Sequence, residues 1–393
     1  MMQAVLARVA VVLLLLLAAV PQLHAQAIVP APPQLQATGW ILMDAATGAV
    51  LAEQNADERL PPASLAKIMT DYILAEELAA GRVTLDDEVP ISEKAWRTGG
   101  SKMFVHVGDR VRLEDLARGI IIQSGNDASV AVAEYLAGSE EAFAEMMNAH
   151  AARLGMTNTH FTNATGWPDP EMYTSARDQA ILTRRLIADH PEHYAIYAER
   201  EFTYGRDFQT GAPITQRNRN SLLWMDQTVD GVKTGHTEAA GYCLVASAER
   251  DGMRLISVVM GTESTRARAR ESQALLRYGF RFFETRNLYA GAQQLERSPV
   301  WKGRDDDVAV GLEGDVVLTI PRGRYDALEA TITMEPWLIA PIAAGERVGT
   351  LRVVLDDEEV YSAAVVALAT VETAGFFRRV WHSLQLFFMR LFS

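Results

Sequence analysis

The chain has 393 residues, 49% of them hydrophobic and 22% charged, enough for two globular domains and a short appendage of ordinary soluble composition. A formal net charge of −13 excludes a nucleic-acid binder, which needs a basic face for phosphates. The single cysteine, Cys243, excludes an internal disulfide, and the eight histidines form no His-x-x-x-His or His-Glu pattern, so neither a metal nor another cofactor is expected.

The first element is a targeting segment. Arg8 supplies a positive n-region, Val9 to Val20 an apolar h-region, and Pro21 a break. Ala25 and Ala27 then give small residues in an Ala-x-Ala pattern. Residues 1–27 therefore read as a signal peptide cut after Ala25 or Ala27. The apolar run falls short of the ~20 residues a membrane span needs. The mature protein is expected to be exported, and without disulfides it must rely on a real core. Cys243 lies in an apolar strand pattern and reads as a small buried hydrophobe.

After a Pro-rich leader at 28–38, residues 39–43 and 49–53 read as a hairpin around Asp44-Ala45-Ala46-Thr47-Gly48. Pro61 and Pro62 then halt regular structure. Ser64 opens an apolar helical run, Leu65 to Ala80, stopped by Gly81. Residues 82–112 are mixed short strands and loop. Helical spacing returns over 113–122, ending in Gln123-Ser124-Gly125-Asn126-Asp127, and over 128–136, 140–154 and 175–190, the last opened by Ser175 as a cap. Beyond 200 the pattern turns to strands. A short one covers 202–204, another runs over 229–233 into Thr234-Gly235-His236, and a clear hairpin pairs 241–248 with 253–261. A helix over 266–283 follows. Terminal strands in one antiparallel sheet with helices packed against it make residues 28–285 an α+β domain. Residues 286–372 are strand-only, with Gly- and Asp-rich turns, and read as a small all-β sandwich.

Residues 373–393 form a terminal helix. Phe376, Phe377, Val380, Trp381, Leu384, Phe387, Phe388 and Leu391 share one stripe, and Arg378, Arg379, His382, Gln385 and Arg390 take the other side. Three arginines in ~27 Å are costly inside a bilayer, so an amphipathic helix lying in an anionic membrane surface is expected, with docking on the chain's own sandwich as the alternative.

The chemistry begins at Ser64. Ser64 and Lys67 are three apart and share a helix face, and the first turn's free N–H groups favour developing negative charge. A serine hydroxyl needs a base within reach, and a lysine kept neutral by its surroundings can serve. Only five lysines (67, 94, 102, 233, 302) occur among 37 basic residues, so a lysine that survives is a candidate for titration, which arginine cannot perform. Two further motifs follow in order, Ser124-Gly125-Asn126 in a loop between helices and Lys233-Thr234-Gly235 on a strand. Each alone is weak; a capped helix, a turn and a strand end would explain them separately. Together they form the set known, with Asp for the middle glycine, from penicillin-binding proteins and class A β-lactamases.

On these motifs the chain resembles the low-molecular-mass penicillin-binding proteins of the D-alanyl-D-alanine carboxypeptidase type, with a β-lactamase/transpeptidase-like domain. The resemblance extends to Pro62-Ala63-Ser64-Leu65, Gln123 to Ala128, Asn218-Arg219-Asn220, Leu222-Leu223-Trp224, Asp230 to Thr237, Tyr278 to Phe283 and Thr319 to Gly323. It implies that Ser64 attacks the penultimate D-Ala of a peptidoglycan pentapeptide, that Lys67 takes its proton, and that Ser124 relays a proton to the leaving D-Ala. It further implies that Asn126 holds the substrate amide, and that Lys233, Thr234 and Gly235 line the substrate strand. Ser64 and His236 then supply oxyanion N–H groups, and Arg268, flanked by Arg266 and Arg270, receives the terminal carboxylate. β-Lactam antibiotics would be covalent inhibitors, and the enzyme would sit on the periplasmic face of the cytoplasmic membrane. The alternatives are a D,D-endopeptidase or a weak β-lactamase on the same fold. Class A β-lactamases carry a Glu-x-x-x-Asn pattern between the second and third motifs, and none occurs between 127 and 232.

Overall fold

Two prolines and a Ser-Leu-Ala-Lys run place a largely buried helix directly after a tight turn. The computed structural model of the protein describes residues 29–206 and 209–392, so the segment read as a signal peptide lies outside the described residues. Strands β1 (Gly39–Asp44) and β2 (Val50–Gln54) form the expected hairpin. A short 3-10 turn, Ala63–Leu65, leads into α1 (Ala66–Ala79). Every residue of α1 from Ala66 to Ala75 is buried, including Lys67, Thr70 and Asp71, which is why its apolar residues are not confined to one stripe.

Around it pack α2 (Leu113–Ile122), α3 (Asn126–Ala137), α4 (Glu140–Leu154) and α5 (Ala176–Asp189). Ser175 caps α5 by accepting from the Asp178 N–H, as its position predicts, and Ser139 caps α4 in the same way through the Ala142 N–H. The third helix begins two residues earlier than its apolar pattern suggests. Asn126 and Asp127 are already helical, because Asp127 accepts from the Ala128 N–H at the free helix end. A five-residue helix, Glu93–Arg97, capped by Ser92, stands in the stretch read as mixed strand and loop.

Strands β3 (Val229–Thr237), β4 (Gly241–Arg250) and β5 (Met253–Thr262) complete an antiparallel sheet of order β2-β1-β5-β4-β3, so chain start and domain end meet at its centre. Helix α6 (Thr265–Phe282), capped by Ser264, covers its far face. An outlying hairpin, Glu201–Arg206 with Pro213–Arg217, reaches over to the loop before α2, where Gln216 Nε2 donates to Lys102 O at 3.2 Å.

The chain then becomes all strand. β6 (Phe283–Tyr289) pairs with β9 (Val316–Pro321). The larger sheet is built from β7 (Gln294–Trp301), β8 (Asp307–Leu312), β10 (Leu328–Met334), β11 (Leu338–Ile339), β12 (Arg347–Leu355) and β13 (Glu358–Ala367), in the order β10-β12-β13-β8-β7-β11. Val310, Leu312, Leu351, Val353 and Val365 form its core. Asp44 joins the two parts. Its buried carboxylate accepts from Thr47 on one side and from Thr285 Oγ1 at 2.6 Å on the other.

Helix α7 (Phe376–Phe392) docks along the β domain by a narrow seam. His382 Nδ1 accepts from the Lys302 N–H at 2.8 Å, Trp301 meets the same ring edge-on, Leu386 is buried, and Arg378 pairs with Asp306. The opposite stripe faces outward, with Phe377 87% and Trp381 61% exposed. Docking and an outward aromatic face therefore coexist. No described helix is long and apolar enough to cross a membrane.

Candidate active site

The three motifs, more than 160 residues apart in sequence at their extremes, converge on one point. Ser64 sits in the 3-10 turn, half-buried. Lys67, one turn on, is 1% exposed and its Nζ lies 3.1 Å from Ser64 Oγ and 2.7 Å from Asn126 Oδ1. It also donates to the carbonyl of Thr165 at 2.5 Å. Burial pushes the Lys67 ammonium down to about 7; the charge of Arg219 adds to this, and Asp127 and Glu140 oppose it. The geometry suits the neutral amine. Its two N–H bonds serve Asn126 and Thr165, which leaves the lone pair for the Ser64 proton.

Ser124 adopts a left-handed backbone (φ 61°) between α2 and α3, where its buried hydroxyl accepts from Lys233 Nζ at 2.8 Å. Lys233 also donates to Thr234 O at 3.1 Å. Its ammonium is held well below its usual range, first by burial and then by Lys67, Arg219 and Arg268. Asn126 uses both ends of its amide, donating from Nδ2 to Gly99 O at 2.7 Å as well as accepting from Lys67.

Edge strand β3 carries Lys233, Thr234, Gly235 and His236 past the serine. It runs so close that a Cβ on Gly235 would stand 3.1 Å from Pro62 O and 3.3 Å from Ala63 Cβ. The His236 ring is exposed and stacks on Tyr242 at 3.9 Å between centroids. Arg268 reaches the same strand from α6. Its Nη1 donates to Gly235 O at 3.0 Å and to Cys243 O at 3.5 Å, and burial lowers it to about 10. Its side chain is buried, whereas Arg266 and Arg270 are exposed. Cys243 is buried beneath this arginine, its thiol pushed up to about 11, and behaves as the small hydrophobe its strand pattern indicated.

Three further features have no role assigned by the sequence, although Asp127 and Arg219 lie in stretches that carry the family resemblance. Asp127 holds the loop over the site: its buried carboxylate accepts from the N–H groups of Met103 (3.0 Å), Phe104 (2.9 Å) and Val105 (3.3 Å) besides Ala128. Arg219 stands between Asn218 and Asn220, both buried and tied to Glu199 O and Gly231 O, and its charge acts on Lys67, Lys233 and Arg268. The loop 163–167 presses against the nucleophile from the other side. Asn163 Oδ1 accepts from Thr165 N, Thr165 Oγ1, Gly166 N and Trp167 N at 2.8–3.1 Å, which locks the loop's shape. The Asn-x-Thr-Gly sequence is a legible turn signal; its docking on Ser64 is not.

A buried lysine facing a serine, a second lysine on a second serine, and an arginine beside the edge strand are the groups that serine acyl transfer requires. Comparison with known proteins agrees. Residues 26–264 match the D-alanyl-D-alanine carboxypeptidase family, and residues 283–373 match the C-terminal domain of penicillin-binding protein 5. The chain belongs to the D-alanyl-D-alanine carboxypeptidase family. It is 45% identical over 369 residues to the D-alanyl-D-alanine carboxypeptidase DacC of Escherichia coli (strain K12), which covers 92% of this chain and 90% of that protein. Its fold is similar to that of penicillin-binding protein 5 from Haemophilus influenzae (TM-score 0.82, 41% identity, 87% of this chain and 99% of that one). Penicillin-binding protein D2 from Listeria monocytogenes in its ampicillin-bound form is similar over 63% of this chain and 100% of its own (TM-score 0.57, 30% identity).

Proposed function

We propose that this carboxypeptidase removes the terminal D-Ala from peptidoglycan pentapeptides through an acyl-enzyme on Ser64. The observation that carries this reading is the Lys67 amine, buried, lowered to about 7 and held between Ser64, Asn126 and Thr165. Lys67 Nζ takes the hydroxyl proton as Ser64 Oγ attacks the carbonyl carbon of the penultimate D-Ala. The N–H groups of Ser64 and His236 receive the oxyanion; one such donor is typically worth ~10²–10³ in rate. As the C–N bond breaks, the Ser124 hydroxyl, held by Lys233, passes a proton to the departing amine of D-Ala. Asn126 positions the substrate amide, and Thr234 and Gly235 line its path along β3. Arg268 takes the terminal carboxylate, for which a planar fork is suited. That carboxylate also favours the charged form of Lys233, so the cation cluster becomes fully charged when its anion arrives.

Water then hydrolyses the ester. Among the described residues no carboxylate hydrogen-bonds to Ser64 or Lys67, which supports slow deacylation and hence lasting inhibition by penicillin rather than β-lactamase activity. Residues 286–372 lift this site from the membrane, on whose periplasmic face the exposed aromatic stripe of residues 373–393 rests. The test is D-Ala release from diacetyl-Lys-D-Ala-D-Ala by the mature protein, with and without penicillin and beside Ser64→Ala. Release abolished by both establishes the reading. No release with penicillin bound covalently would favour an endopeptidase, and rapid destruction of penicillin a β-lactamase.

A further inference from the structure

Lysine is scarce in this chain, and four of its five lysines are engaged. Lys67 and Lys233 stand beside Ser64 and Ser124, Lys94 pairs with Glu140 and Glu141, and Lys102 Nζ donates to Trp96 O at 2.6 Å. Lys302 differs. Its backbone is tied down, the N–H donating to His382 Nδ1 and the carbonyl accepting from Ala374 N at 2.8 Å. Among the described residues its ammonium has no hydrogen-bond or ion-pair partner. The nearby arginines do not share this freedom: Arg297 pairs with Asp307, Arg304 with Glu372 and Arg378 with Asp306.

Lys302 lines a groove of about 480 Å³ between α7 and the β domain. Leu386, Phe387 and Leu391 form its wall on the helix, with Ser383, and Ile339 of β11 faces them. The lining holds no acid, and the Ser383 hydroxyl donates to Arg379 O of its own helix at 2.8 Å. The groove is therefore apolar with one cation. Its walls are open, Phe387 being 62% and Leu391 64% exposed. It runs along the flank of α7, between the docked seam of His382 and Leu386 and the outward stripe of Phe377, Trp381, Leu384 and Phe388. Lys302 lies level with His382, and Leu391 stands nine residues farther on, about 13.5 Å along the axis. Cation and far wall are the two ends of an elongated slot.

We infer that this groove binds one anionic phospholipid, its phosphate on the Lys302 ammonium and an acyl chain along Leu386, Phe387, Leu391 and Ile339. An aliphatic chain covers these walls and asks for no hydrogen bond, and a single anionic head answers a single cation. An acidic peptide would bring more charges and backbone groups than this lining can satisfy. The inference rests on the proposed membrane-surface role of residues 373–393 and adds to it a site of fixed stoichiometry, apart from the general attraction of a basic helix to a charged bilayer.

The test titrates the full mature chain, by calorimetry, with dihexanoylphosphatidylglycerol below its micelle concentration, with the dibutanoyl lipid and with glycerol phosphate alone. Saturable binding of one dihexanoyl lipid per chain is expected. Removing two methylenes from the buried chain should weaken binding about fifteenfold, at about fourfold per methylene, with glycerol phosphate weaker still. Lys302→Gln should lose about tenfold. Arg379→Gln, which removes one charge from an exposed position of α7 outside the groove, should keep the original affinity. Ile339→Trp fills the slot with a residue that strands accept, and should abolish lipid binding while sedimentation with anionic vesicles persists. Penicillin acylation and the unfolding midpoint show that each variant is folded. Glycerol phosphate binding as tightly as the lipid, equal losses in Lys302→Gln and Arg379→Gln, or lipid binding untouched by Ile339→Trp overturns the site. Saturable lipid binding without vesicle sedimentation upholds the groove and overturns the membrane-surface reading; sedimentation without saturable binding does the reverse.

Discussion

Replacing Gly166 by alanine tests whether the loop 163–167 sets the position of the nucleophile. Gly166 has φ 78°, and a Cβ there would stand 1.7 Å from Ala63 O and 2.4 Å from Ala63 C. Real Cβ atoms do not come closer than about 3.0 Å, so the two backbones must part by about 1.3 Å. Neither side is free to yield. The loop is held by the four bonds to Asn163 and by Thr165 O on Lys67, and the turn is followed by a helix buried for ten residues. The shift falls on the Ser64–Lys67 contact, now 3.1 Å. A misplacement of ~1 Å in a reacting pair costs on the order of 10²-fold in rate. Left-handed strain adds about 1–2 kcal/mol of lost stability. The assay is the second-order rate of acylation by fluorescent penicillin, with thermal unfolding alongside. Gly138→Ala is the control. It has the same left-handed strain (φ 82°) with nothing within 4 Å, at the far end of α3. Acylation is expected to fall about a hundredfold in Gly166→Ala and to stay near the original rate in Gly138→Ala. Equal rates in the two variants would refute the argument that this loop positions the serine.

The remaining expectations follow from the same geometry. Lys67 must be neutral to accept the proton, so acylation should fall tenfold per pH unit below about 7 and level off above it, measured as a pH–rate profile. Arg219→Gln removes a cation that disfavours the Lys67 ammonium, so the Lys67 pKa rises and that acid limb should move to higher pH; an unmoved limb would place Arg219 outside the site's field. Asp127→Ala strips the acceptor from four backbone N–H groups and should lower stability by roughly 3 kcal/mol or more, read as a drop in the denaturant midpoint. Deleting 374–393 removes the outward aromatic stripe and should abolish sedimentation with vesicles containing anionic lipid, while penicillin acylation persists; continued sedimentation would remove the helix from that role.

Local chemistry made much of this protein readable as a string. Ser139, Ser175 and Ser264 cap their helices because a side-chain oxygen satisfies N–H groups only a few residues away. The 241–261 hairpin follows from alternation around a turn, and the three motifs lie on the elements their neighbours imply, since propensity and spacing act over a single turn or strand. What the sequence left open depends on contacts between distant segments. Nothing local distinguishes Arg268 from Arg266 and Arg270; only the packing of α6 on the sheet turns the middle one onto Gly235 O. The Lys67 amine is lowered because helices and loops from across the domain exclude water from it, which no window around residue 67 contains. The same holds for Asn163 and Thr165, ordinary loop residues until the fold lays their loop against the turn that carries Ser64. The order of motifs and the family of the enzyme were therefore in the sequence. The base's protonation state, the choice among neighbouring arginines and the groove along the terminal helix were decided by tertiary structure, because burial and long-range electrostatics exist only once the chain has closed on itself.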